Sequence, residues 1–178
     1  MEYFKIQVDR NQFKQSYLIY IIEVVHDVLG TYYYVGQTGD RNHHTARPAF
    51  RRLGAHFSDQ GHSTENQLYR AIVKKILKVE DYEKGKFENS VKYAVTEFLM
   101  PSTISMHAFP IREFSINSST EDHSLNRKHV EDLENSIIFK MRQRFTEERI
   151  LNKKSAKDLP LSQEASDTVF SIIQTVCP

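Results

Sequence analysis

The sequence predicts an α/β fold, a small antiparallel sheet of about three strands flanked by helices. Residues 17–26, Tyr-Leu-Ile-Tyr-Ile-Ile-Glu-Val-Val-His, and residues 31–37, Thr-Tyr-Tyr-Tyr-Val-Gly-Gln, are dominated by β-branched and aromatic side chains, the composition of largely buried strands. Between them Asp27-Val28-Leu29-Gly30 supplies a turn, and glycine takes a positive φ without steric penalty. Two such runs joined by a short Gly-containing turn form an antiparallel hairpin. Downstream of the hairpin, apolar residues mostly recur at helical spacing instead.

Gly36 and Gly39 end the second strand, and Gly39-Asp40 opens a polar loop. Pro48 suits the start of a helix, and Phe50, Leu53 and Phe57 mark its apolar face over 49–57. Thr64 with Gln67 reads as a capping box, followed by a stripe of Leu68, Ile72, Ile76 and Val79. Residues 89–100 form a helix with Val91, Val95, Phe98 and Leu99 inward, closed by Pro101. Residues 104–116 are extended, and Pro110 puts that strand at a sheet edge or a bulge. Residues 125–145 carry Val130, Leu133, Ile137, Ile138 and Met141 at helical spacing. Ser162 caps a last helix with Val169, Phe170, Ile172 and Ile173, and 153–160 reads as a linker that makes this helix an appendage.

The chain has 178 residues, 39% hydrophobic and 26% charged, which fits one folded domain with an appendage. A single cysteine, Cys177, excludes a disulfide scaffold and a cysteine-type zinc site. No apolar run approaches the roughly 20 residues of a membrane span, and Met-Glu-Tyr-Phe-Lys does not open a secretory signal, so cytoplasmic residence is expected.

A net charge of +1 does not by itself announce a nucleic-acid partner, but its distribution is uneven. From Arg41 to His56 the chain carries Arg41, His43, His44, Arg47, Arg51 and Arg52 with no acid between. A second basic stretch spans Lys140 to Lys157, including Lys153 and Lys154. Phosphate binding would explain both; solvated helix faces are the plainer alternative.

The hairpin resembles the opening of the GIY-YIG nucleases. Leu18-Ile19-Tyr20 stands where that family has Gly-Ile-Tyr, departing at Leu18, and Tyr34-Val35-Gly36 matches Tyr-Ile-Gly, followed by Gln37-Thr38. Family members also carry an arginine on the first helix, often with a histidine four residues on, as Arg52 and His56 stand here. A helix glutamate ahead of an apolar pair matches Glu134 before Ile137-Ile138, and a later asparagine matches Asn152. The resemblance covers about 17–56 and 131–152, within an expected nuclease domain of 1–152; it leaves 57–130 as an insertion and 153–178 as linker and helix.

The resemblance implies a metal-dependent endonuclease acting on DNA, with Mg²⁺ or Mn²⁺ held by Glu134, and the chemistry of the residues agrees. A lone carboxylate suits Mg²⁺, which keeps several waters. Arg52 offers a planar fork for phosphate oxygens. Tyr20 would act as general base, with Tyr34 or His56 orienting the water or relaying its proton, provided nearby positive charge lowers a tyrosine pKa of about 10. Arg47 and Arg51 compete with Arg52, and Glu131 and Asp132 with Glu134. Arg47, Arg51, Lys153 and Lys154 are the expected DNA contacts, and 57–130 with the basic stretch 140–157 is where sequence recognition would fall.

The chain's size favours a type II restriction enzyme, for which a double-strand break requires a homodimer or sequential nicking and a companion methyltransferase gene is expected nearby. The alternatives are a structure-specific repair or mobile-element nuclease, and a binding module of the same fold without cleavage. No phosphate-binding glycine loop, dinucleotide fingerprint or His-Glu-x-x-His motif is present.

Overall fold

Ser16–His26 (β1) is the middle strand of a three-stranded antiparallel sheet, with Gly30–Gln37 (β2) on one side and Ser102–Glu113 (β3) on the other. The structure, a computed structural model, describes residues 6–58, 66–79, 88–153 and 155–178. Gly30 closes the hairpin at φ 78°, a conformation that a side chain would strain. β3 comes from within the expected insertion, yet it pairs with β1 from Ser16 opposite Glu113 to His26 opposite Ser102. Tyr17 faces Arg112 and Leu18 faces Pro110, so Ile111 is the extra residue of a bulge. Pro110, which has no N–H to donate, thus sits beside a bulge on an edge strand.

β1 buries both faces, which explains its nearly unbroken apolar run. Tyr17, Ile19 and Ile21 pack in one core cluster, and Leu18, Tyr20, Ile22 and Val24 pack in a second on the opposite face. The second cluster is covered by three helical segments. Ala49–Phe57 (α1) begins after Pro48. Gln67–Ala71 (α2) runs into a π-helical turn, Ile72–Ile76, and Asn89–Leu99 (α3) buries Val91, Val95 and Phe98. A single helix to Val79 was expected from the stripe; instead the wider turn intervenes and Lys78 takes φ 52°. Thr64, the expected cap, lies outside the described residues.

The first cluster is covered by Thr120–Arg144 (α4) and Gln163–Val176 (α5). α4 starts before the expected Leu125 because Ser119 caps it, its Oγ accepting from the Asp122 amide; Leu125 itself is exposed. Ser162 caps α5 as the sequence predicts, accepting from the Ala165 amide. α5 is not an appendage to the core: Val169, Ile172 and Ile173 are buried in the same cluster as Ile19 and Ile21. Phe170, expected among them, faces outward and is exposed. Among the described residues no helix is long and apolar enough to cross a membrane.

Candidate active site

Of the tyrosines in the sheet, Tyr20 and Tyr34 pack in the cluster covered by α1 and α2, and their surroundings are built from separate parts of the chain. The Tyr20 ring is fully buried, and its hydroxyl meets three nitrogens from α1. Arg52 donates to it from Nε at 3.2 Å and from Nη2 at 3.0 Å, and His56 Nε2 lies 2.7 Å away. Arg52 and His56 reach one oxygen because four residues is one helical turn. Both arginine contacts are donations and occupy the lone pairs of the hydroxyl, so its proton is directed at His56 Nε2. The imidazole then carries its own proton on Nδ1, which is buried and makes no hydrogen bond among the described residues.

Protonation states follow from the same packing. Burial, with Arg52 next to it, pushes His56 down to about 3, so the ring is neutral at physiological pH. Burial raises Tyr20 above its ordinary value, against the opposing pull of Arg52. A gap from about 3 to above 10, at about 1.4 kcal/mol per unit, is too wide for His56 to take the Tyr20 proton. His56 therefore orients the hydroxyl; it does not relay its proton in the resting site.

Tyr34 is also buried, its ring stacked 6.5 Å from that of Tyr20 and 4.7 Å from His56, and its hydroxyl donates to Gln67 Oε1 at 2.7 Å. Burial, then Tyr20 and Glu134, hold its pKa well above the ordinary value. With its proton committed to an amide, Tyr34 serves as a fixed dipole and not as a base.

Both tyrosines open on a cavity of about 640 Å³ that also receives Arg52 from α1, Glu134 from α4, and Gln67, Arg70, Lys74 and Lys75 from α2 and its π turn. α4 packs Leu133 and Ile137 against the far face of the sheet, while Glu134, Glu131 and Arg127 line this cavity. The cavity thus lies at the β2 edge, where elements from both layers meet. Glu134 acts electrostatically on Tyr20, Tyr34 and Arg52. Its rival Glu131 is engaged by Arg127 at 2.7 Å and Arg41 at 2.9 Å. Asp132, the other rival, pairs with Lys128 and does not line the cavity.

Among the described residues no three His, Cys, Asp or Glu side chains cluster as a metal cage. Glu134, on the cavity wall it shares with Tyr20 and Arg52, offers the kind of oxygen ligand that suits a hard divalent cation keeping most of its waters, so the residues present are compatible with Mg²⁺ or Mn²⁺ at Glu134.

The remaining expected site residues divide. Asn152 does not face the cavity. Buried beside β2, its Oδ1 accepts from the Val35 amide at 2.9 Å and its Nδ2 donates to the Val35 carbonyl at 2.7 Å. With Ile150 bridging Tyr33 and the Leu151 amide bonded to the Tyr33 carbonyl, the Asn152 amide continues a strand-like ladder along the edge. Its role in this fold is to clamp the strand. Arg47 pairs with Asp40 at 3.3 Å and still acts on Tyr20 electrostatically. Arg51 is exposed on α1 and does not line the cavity. Lys153 does line it, and Lys154 lies outside the described residues. Much of the basic stretch 140–157 is spent on the fold: Arg142 donates to the Asn152 carbonyl, Arg144 to the Pro178 carbonyl and Arg149 to the Leu29 carbonyl.

Gln67, Arg70, Lys74, Lys75 and Arg127 carry no sequence signal that marks them as site residues. The first four form the polar complement of the α2 apolar stripe, which in the sequence is indistinguishable from a solvated face.

No family model matches the chain, and neither a curated protein nor a solved structure is significantly similar to it.

Proposed function

We propose that this protein is a metal-dependent endonuclease that hydrolyses DNA phosphodiester bonds. The observation that carries the reading is the Tyr20 hydroxyl, gripped by Arg52 through two nitrogens and by His56, at the wall of a cation-lined cavity that also holds Glu134. Hydrolysis needs a base for water and positive charge for the developing phosphorane. In this reading Tyr20 first loses its proton to solvent through the cavity and then, as a phenolate, takes a proton from the attacking water, while the Arg52 guanidinium beside it stabilises first the phenolate and then the phosphate oxygens. His56, neutral and buried, fixes the direction of the hydroxyl. Tyr34, locked to Gln67, shapes the wall against which the phosphate is placed. Glu134 would hold a divalent cation, Mg²⁺ or Mn²⁺, whose Lewis acidity stabilises charge on the phosphate and the leaving oxygen.

Because the resting pKa of Tyr20 is raised by burial, cleavage should increase toward alkaline pH. The test is incubation of supercoiled plasmid with the protein and Mg²⁺, with Glu134→Ala alongside. Cleavage by the wild type alone supports the reading; no cleavage with any divalent cation would leave a DNA-binding module of the same fold. The restriction role belongs to the same proposal and rests on the sequence resemblance. Discrete fragments from a plasmid, produced by a homodimer or by paired nicks, would support it. Preferential cleavage of branched DNA would favour a repair or mobile-element role instead.

A further inference from the structure

We propose that the face of α2 and its π-helical turn is a binding wall for a nucleic-acid strand, with Arg70 and Lys74 contacting neighbouring backbone phosphates beside the reaction centre. The choice of ligand rests on the nuclease reading; the site itself rests on how this segment is built.

Gln67, Arg70, Lys74 and Lys75 line the cavity while Leu68, Tyr69, Ile72 and Val73, interleaved with them, are buried in the core. The segment is therefore two-faced, and its polar face lines the cavity shared with Tyr34 and Glu134, with Gln67 and Lys74 also exposed. Arg70 and Lys74 are four residues apart, about 6 Å along a helix axis. Neighbouring phosphates of one strand are separated by a rise of about 3.4 Å, less than the separation of the two residues, and two long cationic side chains can converge on them.

The π turn fixes the phase of this wall. Its wider hydrogen bonding, with the Leu77 amide bonded to the Ile72 carbonyl at 2.9 Å, carries the chain around so that Lys75 as well as Lys74 meets the cavity side. Lys75 is then used as a strut. Its Nζ donates to the Ile150 carbonyl at 2.8 Å and the Asn152 carbonyl at 3.1 Å, tying the wall to the segment that clamps β2. Wall and sheet tyrosines are thereby held in one rigid frame. Single-turn π segments often occur where side chains are re-aimed for function.

On the opposite wall Arg127 and Arg41 converge on Glu131 at 2.7 and 2.9 Å. The two walls flank Tyr20 and Glu134, and the strand is placed on the α2 side, with its scissile phosphate at Tyr20 and Arg52 and the neighbouring phosphates on Arg70 and Lys74.

The experiment is fluorescence anisotropy with labelled duplex DNA in EDTA, where cleavage cannot occur, over a range of NaCl concentrations. Wild type, Arg70→Ala/Lys74→Ala and Lys14→Ala, an exposed lysine outside the cavity, are compared, with circular dichroism confirming the fold. Each lost phosphate contact lowers the slope of log K against log salt by about 0.9. The double variant should therefore show a slope lower by about 2 and weaker binding at every salt concentration, and Lys14→Ala should match wild type. An unchanged slope in the folded double variant, or no DNA binding by wild type, overturns the proposal. Binding that depends on Arg70 and Lys74 without plasmid cleavage in Mg²⁺ would sink the nuclease reading and leave this wall standing.

Discussion

Gly36 makes the space in which the Tyr20 ring lies: a Cβ added at position 36 would stand 2.3 Å from both Cζ and the hydroxyl oxygen of Tyr20. The two residues are cross-strand partners in the β1–β2 ladder, so neither can retreat without breaking the hairpin. Gly36→Ala is expected to push the Tyr20 hydroxyl away from Arg52 and His56. Overpacking of this kind costs about 1–3 kcal/mol, or roughly 2–4 °C in Tm for each kcal/mol in a chain of this size. Plasmid cleavage should fall by at least an order of magnitude more than this loss of folded protein explains. Full activity with unchanged Tm would show that Tyr20 does not need its observed place.

Tyr20→Phe keeps the ring in its pocket and removes only the oxygen that Arg52 and His56 share. A positioned general base contributes about 10²–10⁴-fold, and Mg²⁺-dependent cleavage is expected to drop by that factor, measured under single-turnover conditions. A Phe variant as active as wild type would remove Tyr20 from the mechanism. Tyr34→Phe should be milder, since its hydroxyl proton is already committed to Gln67.

His56 should also make stability depend on pH. Its pKa is depressed in the fold to about 3, against about 6.5 when unfolded, so between these values the unfolded chain binds more protons than the folded one. Stability from this group is fully present above about pH 6.5 and is lost as pH falls toward 3, with a limiting slope of about 1.4 kcal/mol per unit. Thermal melts of His56→Gln between pH 4 and pH 7 should show a flatter decline than wild type. Parallel curves would mean that His56 is protonated in the fold or reached by solvent.

Asn152→Ala should cost stability first and activity second. The substitution leaves both the amide and the carbonyl of Val35 without their partner, and each buried unpaired group costs about 1–3 kcal/mol. A large fall in Tm, with an unchanged Mg²⁺ concentration for half-maximal cleavage in whatever remains folded, is the expected result. An unaltered Tm with lost cleavage would return Asn152 to the chemistry.

The hairpin, the three helices that begin or end at Ser162, Pro48 and Pro101, and the placement of Pro110 at an edge bulge were legible in the sequence because each is governed by local chemistry. Alternation, turn glycines, caps and the missing proline N–H act within a few residues. The trio of Tyr20, Arg52 and His56 was legible only through the resemblance to the GIY-YIG pattern; local chemistry puts Arg52 and His56 one helical turn apart but does not say which strand residue they meet. Other features were decided only by packing between distant segments. Phe170 and Val169 are adjacent apolar residues, and only the docking of α5 on the sheet decides that Val169 is buried and Phe170 is not. Asn152 carries the same side chain whether it faces a phosphate or a strand edge; the neighbouring Ile150–Tyr33 bridge decides that it clamps Val35. Likewise Arg70 and Lys74 belong to a polar helix face that sequence cannot tell from a solvated one, and it faces Tyr34 and Glu134 only because Leu68 and Ile72 are anchored in the core behind it. The sequence by itself determined which residues could form strands and helices, and that Arg52 and His56 share a helix face. The tertiary structure decided which polar faces point into a shared cavity, because that depends on long-range burial of the apolar faces opposite them.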